Sequence, residues 1–370
     1  MNNPPVSLVT GGAGFIGAHV THHLLNMGHK VIVLDDLSGG FKENVPASAK
    51  FIEGSITDVS LVNAIFAEYN FEYVYHLAAY AAEGLSHFIR RFNYQNNLIG
   101  SVNLINAAVN HNIKCFVFTS SIAVYGDQEL PLKESQHPQP EDPYGIAKYA
   151  VELDLENAHK MFGLNYVIFR PHNVYGPKQN IGDSYRNVVG IFMNQLHKKE
   201  PLTIFGDGQQ SRAFTYIDDV APYIASSPFI CQQDSNQINS HPEPVEGQAV
   251  NKSDYSHLNR LRQAQPDKNI FNIGSDHAST VNELATAVGE AMQLNSQINH
   301  LDQREEVVHA YSDHSKFNAI FNPKPSTSLK DGLAKTAAWV RNHGARESST
   351  FDNIEIEKNL PKSWQKKGLN

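Results

Sequence analysis

Among 370 residues there are only two cysteines, Cys115 and Cys231. Two cysteines build no disulfide framework, and a reducing cytosol is the simplest setting for them. The chain has no long run of Lys or Arg, and its formal net charge is -8. Both features disfavour nucleic acid as a partner. No apolar run approaches the ~20 residues of a membrane span, so no membrane association is expected. The opening, Met1-Asn2-Asn3-Pro4-Pro5, lacks a charged segment followed by an apolar stretch, and no signal peptide is expected. The 18 histidines show no metal-ligand spacing. What remains, at 41% hydrophobic residues, is long enough to bury a sizeable core as one large or two modest domains.

The first half alternates strand and helix signals. Apolar runs at Val6–Thr10, Lys30–Leu34, Phe51-Ile52, Tyr73–Leu77, Phe116–Ser120 and Tyr166–Arg170 read as strands. Helical patterns lie at Ala18–Met27 and near 58–69, 93–111 and 144–162. Strands spaced by helices predict an α/β fold: a Rossmann-type, doubly wound parallel sheet. After Arg170 loops and short elements dominate, which predicts a smaller, interleaved C-terminal substrate lobe. The expected division is a dinucleotide-binding domain over 1–172, with returning segments near 213–230 and 269–274, and a lobe over 173–345. Residues 232–268 hold only eight hydrophobic residues in 37, too few to offset the entropy of ordering them. They are expected to form a disordered insertion. The tail over 346–370 is polar too, with Trp364 as its one candidate anchor.

Thr10-Gly11-Gly12-Ala13-Gly14-Phe15-Ile16-Gly17 stands between the first strand and the first helix. Gly11 permits a tight turn, Gly14 lets backbone approach a pyrophosphate, and Gly17 lets helix and strand pack closely. The helix N-terminus then offers oriented N–H groups to an anion. The second strand ends at Asp35 and Asp36, about 20 residues beyond the turn, where a carboxylate holds the ribose hydroxyls of NAD. No Arg or Lys stands immediately beside them to take a 2′-phosphate, so NAD is expected rather than NADP.

Downstream, Thr119-Ser120-Ser121-Ile122-Ala123-Val124-Tyr125-Gly126 follows an apolar strand. Asp142-Pro143-Tyr144-Gly145-Ile146-Ala147-Lys148 then opens a helix, with Asp142 as N-cap and Pro143 at the first helical position. Tyr144 and Lys148 are four apart and share a helix face. A phenol, with an ordinary pKa near 10, is a poor base at neutral pH. A neighbouring ammonium stabilises the phenolate and lowers that value. Taken alone, Tyr-x-x-x-Lys is a common chance pair on a solvated helix.

Together these segments, with His76-Leu77-Ala78-Ala79, resemble the extended short-chain dehydrogenase/reductase family, especially UDP-glucose 4-epimerases and related nucleotide-sugar epimerases. The resemblance covers roughly 6–230 and 269–320. It implies Ser121, Tyr144 and Lys148 as catalytic residues: a substrate-holding hydroxyl, the base, and the base's electrostatic partner, which also bonds the nicotinamide ribose. It implies Phe15 and Ile16 at the pyrophosphate, and Leu77, Ala78, Ala79, Asn96 and His172 beside the cofactor. The family usually has Gly-Asp-Ile/Leu where this chain has Gly54-Ser55-Ile56, so Ser55 would meet adenine without a charge. The segment Arg170-Pro171-His172-Asn173-Val174-Tyr175-Gly176 places Asn173 at the diphosphate or sugar. Asn187, Val188, Thr203 and Phe205 would hold the nucleotide, and Arg212 and Arg304 would grip its diphosphate. Ala310 falls where a bulky residue excludes larger sugars. The family's four-helix interface implies a homodimer through 93–111 and 144–162.

The implied activity is NAD-dependent 4-epimerisation of a UDP-hexose or UDP-hexuronate through a transient 4-keto sugar, with no metal. The alternatives are a 4,6-dehydratase or decarboxylase, which usually has a carboxylate where Ile122 and Ala123 stand, and a non-catalytic NAD-sensing protein.

Overall fold

The computed structural model describes residues 3–183, 185, 187–231, 269–295, 297–303, 308–346, 353–361 and 364. The insertion expected at 232–268 and the substrate contact expected of Arg304 lie outside the described residues. Along the chain come strands Val6–Thr10 (β1), Lys30–Asp35 (β2), Lys50–Glu53 (β3), Tyr73–His76 (β4), Cys115–Thr119 (β5) and Tyr166–Pro171 (β6). Short strands follow at Val174–Tyr175 (β7), Leu202–Phe205 (β8), Ser211–Ala213 (β9) and Thr215–Tyr216 (β10). The last are Ile270–Ile273 (β11), Ala278–Thr280 (β12), Ile298–Leu301 (β13) and His309–Ala310 (β14).

Seven of these form one parallel sheet in the order β11-β6-β5-β4-β1-β2-β3. The chain winds outward from β1 to β3, returns, and winds the other way from β4. The strand order therefore reverses between β1 and β4, the place where open α/β sheets bind ligands. Period-two alternation sends neighbouring residues to opposite faces. Leu8, Ile32, Val74, Phe116 and Ile168 face Val62, Leu104 and Val151, from helices Val59–Glu68 (here α2), Gly100–Asn110 (α5) and Pro143–Phe162 (α6). Val9, Val33, Tyr75, Val117 and Phe169 face Val20, Leu24 and Ile224, from Phe15–Asn26 (α1) and Ala221–Ser226 (α8). Each such fully buried side chain contributes about 1.5–3 kcal/mol.

The remaining helices are Glu83–Ser86 (α3), Arg90–Tyr94 (α4), Val188–His197 (α7), Val281–Met292 (α9), Ser315–Phe321 (α10) and Leu329–His343 (α11). The short strands build three small sheets, β10-β7, β12-β9-β14 and β13-β8. Thr280 and Glu283 close a reciprocal capping box at the start of α9. Trp364 does anchor the tail, packing edge-on against Phe88 and Tyr185. Nearby, Glu355 accepts hydrogen bonds from the Arg91 and Phe92 backbone N–H groups at 2.8 and 2.9 Å.

Two expectations need correction. The helix expected over 93–111 is three pieces: α4, a π-helical turn at Gln95–Ile99, and α5. The extra residue of the π turn coincides with Asn97, whose amide accepts from Tyr80 N–H at 2.8 Å and donates to Tyr80 O at 3.1 Å. That pull from a neighbouring segment is invisible to helical periodicity. The two cysteines, 116 positions apart with Cα atoms 6.3 Å apart, form a disulfide. Strand β5 and the segment that follows α8 bring them together. Among the described residues no helix is long and apolar enough to cross a membrane, and no group of three His, Cys, Asp or Glu could hold a metal ion.

Candidate active site

The glycine turn lies at the C-terminal end of β1, beside the reversal in strand order. Gly11 has φ +72°, and a Cβ there would lie 2.7 Å from the Ala78 backbone. A Cβ on Gly17 would collide with Gly11 O. Only glycine leaves this cradle open, so backbone N–H groups at the start of α1 can reach a pyrophosphate. Phe15 and Ile16, both partly buried, begin that helix. Leu77 N–H and Ala78 N–H bond Thr10 O and Thr10 Oγ1 at 3.2 and 3.3 Å, which lays Leu77–Ala79 along the rim. His76, just before them, is a packing residue: its nitrogens meet Thr10 and Ser101 hydroxyls at 2.8 Å. Burial pulls its pKa down to about 3.

Asp35 sits at the end of β2, facing the turn. Its two oxygens accept from Ala13 N–H and Leu37 N–H, at 3.0 and 2.8 Å. Burial pushes its carboxyl above the usual range, and those two donors oppose the shift. Asp36 is exposed and caps Ser38 N–H at 3.0 Å. Ser55 bonds Thr57 Oγ1 at 2.9 Å, and Ile56 is buried under Gly100. Asn96 lies on the π turn and donates to Phe92 O at 2.9 Å.

The catalytic candidates converge where β5 meets α6. Asp142 caps α6 by accepting from Tyr144 N–H and Gly145 N–H, both at 2.9 Å. A Cβ on Gly145 would lie 2.5 Å from Ala123 O. The glycine thus lets the first turn of α6 press directly on the turn that carries Ser121. The adjacent serines divide their tasks. Ser120 is buried and donates to Glu152 at 2.5 Å. Ser121 is half-buried and its Oγ accepts from Ala123 N–H at 3.1 Å, which leaves its proton for a ligand.

Lys148 is buried, with Nζ donating to Thr119 O at 2.8 Å and standing 5.7 Å from the centre of the Tyr144 ring. Burial lowers its pKa to about 7, and Glu152 opposes the shift. The folded protein thus binds this proton less tightly than the unfolded chain does. The resulting penalty is full below about pH 7 and shrinks as pH rises toward the ordinary lysine value. We predict that Lys148→Met stabilises the apoprotein by about 2 kcal/mol at pH 7, and by less at pH 9. Urea unfolding at both pH values checks this; equal or negative changes would refute it.

A continuation of the same helix face was missed. Glu152, four positions beyond Lys148, is buried and forms a two-pronged ion pair with Arg170, at 3.0 Å to Nε and 2.5 Å to Nη2. Arg170 also donates to Tyr125 at 2.8 Å, and Tyr125 to Asn272 at 2.7 Å. The i, i+4, i+8 run Tyr144-Lys148-Glu152 was the available signal. Ser86, also missed, bonds Asp142 at 3.3 Å and so ties α3 to the start of α6.

The substrate candidates gather beyond β6. Asn173 has φ +41°, and its carbonyl accepts from Thr215 N–H at 3.2 Å. His172 is buried with its ring bonded to Ala213 and His314 rather than open to a ligand. Asn187 caps α7 through Val189 N–H at 2.9 Å, and Val188 opens the helix. Thr203 and Phe205 alternate with buried Leu202 and Ile204, so they share the accessible face of β8. Arg212 lies on β9, donating to Ser211 O and Val308 O at 3.0 and 2.8 Å.

A dinucleotide suits this arrangement. The glycine turn leads into the N-terminus of α1, and the buried Thr119 hydroxyl has no hydrogen-bond partner among the described residues.

Comparison with known proteins agrees with the geometry. The family model described as "NAD dependent epimerase/dehydratase family" matches residues 7–226. A putative UDP-glucose 4-epimerase of Methanocaldococcus jannaschii is 31% identical over 339 residues, covering 91% of this chain and 98% of its own. The crystal structure of Thermotoga maritima UDP-glucose 4-epimerase with UDP-glucose superposes with TM-score 0.76 at 32% identity, covering 91% and 99% of the two chains. A UDP-N-acetylglucosamine 4-epimerase of Methanobrevibacter ruminantium, in complex with UDP-N-acetylmuramic acid, superposes with TM-score 0.75 at 30% identity, covering 93% and 100%. With the glycine cradle, the Ser121–Tyr144–Lys148 cluster and these matches in hand, the chain belongs to the NAD-dependent epimerase/dehydratase family.

Proposed function

We infer that the protein is a UDP-sugar 4-epimerase, and the observation that carries this is the convergence of Ser121, Tyr144 and Lys148 beside the glycine cradle. Asn173 and Arg212 bind the diphosphate, and Thr203 and Phe205 flank the base on the accessible face of β8. Asp35 and Asp36 hold the adenine ribose and repel a 2′-phosphate. Ser121 bonds the substrate's C4 hydroxyl and orients it toward Tyr144. The Lys148 ammonium stabilises the Tyr144 phenolate, which takes the C4 hydroxyl proton and later returns it. Bound NAD supplies the reversible acceptance of the C4 hydride. Ile122 and Ala123 offer no carboxylate beside the 4-keto sugar, which favours epimerisation over elimination or decarboxylation.

Ala310 pairs with Arg212 across β14 and β9 and is buried. Its methyl group leaves space for a 2-N-acetyl substituent on the sugar. Purified protein with UDP-glucose and, separately, UDP-N-acetylglucosamine should give the C4 epimers of both without net NADH. Accumulation of NADH or of a 4-keto-6-deoxy sugar would overturn the epimerase reading. Absence of turnover of the acetylated sugar would overturn the role of Ala310.

The same reading includes a homodimer. Ile99, at the end of the π turn, and Ile146 and Leu153, seven apart on α6, are 51%, 40% and 48% exposed. Apolar side chains on two neighbouring helices suit a helical interface between copies. Sedimentation equilibrium should return twice the chain mass, and a monomer at micromolar concentration would refute it.

A further inference from the structure

Away from Tyr144, three titratable side chains from separate elements stand in hydrogen-bonded series. His172, at the end of β6, meets Ala213 O through Nδ1 at 3.1 Å. Its Nε2 meets His314 Nε2 at 3.0 Å, with the ring centroids 5.1 Å apart and the ring planes 26° from parallel. His314 Nδ1 then meets Asp276 Oδ1 at 2.6 Å. The His314 side chain is 2% exposed and that of Asp276 66%, so the series runs from solvent into the interior.

The two ends of the series fix its protons. A backbone carbonyl only accepts, so His172 Nδ1 carries a hydrogen. A neutral imidazole has one N–H, so His172 Nε2 accepts and His314 Nε2 donates. The Asp276 carboxylate also only accepts, so His314 Nδ1 carries a hydrogen as well. His314 is therefore an imidazolium. The other distribution would charge His172, which has no carboxylate in contact. Burial pulls His172 down to about 3, in keeping with a neutral ring.

We propose that the His314 imidazolium, tethered to Asp276, acts as a positioning residue that holds His172 and, through it, the β9 backbone that presents Arg212 to the substrate diphosphate. The topology supports this. Ala213, the last acceptor, adjoins Arg212 on β9. Asp276 precedes β12, which pairs with β9 through Ala278–Ala213 and Ser279–Arg212. One joint is thus held by a ladder and by the relay. Gly274 makes room for the His172 ring, because a Cβ there would collide with it. The imidazolium also sits at the N-terminus of α10, where a helix disfavours a cation. Asp276 compensates this, as does Asp313 beside it. The charged or titratable groups facing the relay are Asp276 and His277 before β12, His172 from β6, Asp313, and Lys133 from the segment after β5.

The inference rests on the reading of Arg212 as a diphosphate ligand, so both are tested together on the NAD-loaded protein. Asp276→Asn removes the carboxylate charge and lets the amide offer either its oxygen or its N–H to His314 Nδ1, so a second proton on His314 is no longer required. The UDP-sugar KM should rise about tenfold with kcat and NAD content unchanged, and Asp276→Glu should restore it. Nitrogen-15 spectra of histidine-labelled protein should show both His314 nitrogens protonated at pH 7 and His172 neutral. A neutral His314, or an Asp276→Asn KM within twofold of the unsubstituted value, overturns the proposal. If Arg212→Ala raises KM while Asp276→Asn does not, the relay alone is wrong. If Arg212→Ala also leaves KM unchanged, the diphosphate reading has failed and the proposal falls with it.

Discussion

Tyr144→Phe lowers turnover of the UDP-sugar by at least ~10³-fold and leaves NAD bound. The substitution removes one oxygen and keeps the ring, so the contact 5.7 Å from Lys148 Nζ and the pressed first turn of α6 both persist. Asp142 caps that turn through backbone N–H groups, which do not depend on the phenol. What disappears is the group proposed to take and return the C4 proton, while Ser121, proposed to orient the hydroxyl, remains. Discontinuous assay of epimer formation, alongside measurement of NAD in the purified variant, separates the two effects. A variant that keeps turnover within tenfold of the parent removes Tyr144 from the mechanism. One that loses NAD shows instead that the hydroxyl holds cofactor.

Glu152→Gln has the largest expected effect on stability, a loss of about 3–5 kcal/mol. Glu152 and Arg170 are 2% and 3% exposed, and the carboxylate is the guanidinium's counterion. Glutamine has the same shape but leaves a buried cation uncompensated. The damage also reaches the catalytic residues. Ser120 loses its charged acceptor, and Ser120 lies between Thr119, whose carbonyl holds Lys148, and Ser121. Replacing both partners, as Glu152→Gln with Arg170→Met, removes the stranded charge and should recover most of the lost stability. Urea unfolding of the single and double variants decides the matter. If Glu152→Gln loses less than about 1 kcal/mol, the pair is not the support described here.

Much of this was legible because it is local. The glycine turn, the acidic end of β2, and the capped start of α6 are each written in fewer than ten consecutive residues. Their geometry follows from backbone sterics and helix periodicity. The choice of Ser121 over Ser120 came from resemblance, and its physical reason appears only when Glu152 arrives to occupy Ser120. What was illegible is long-range. Glu152 reads as one more polar helical residue until β6 sets Arg170 against it. His172 was expected beside the cofactor, yet its ring turns to His314, 142 positions away. The π turn at Gln95–Ile99 and the Cys115–Cys231 contact are likewise set by neighbours distant in sequence. Periodicity finds elements, whereas the partner that commits a buried polar group is known only after those elements have met.

The carboxylate of Glu355 completes the first turn of α4 from 264 positions downstream. At ~5–20 residues per second of synthesis, roughly 13–50 s separate the two segments on the ribosome. Through that interval the amides of Arg91 and Phe92 have only water to satisfy them. The nascent chain can build its central sheet early, but the rim beside α3 settles only once the tail has been made.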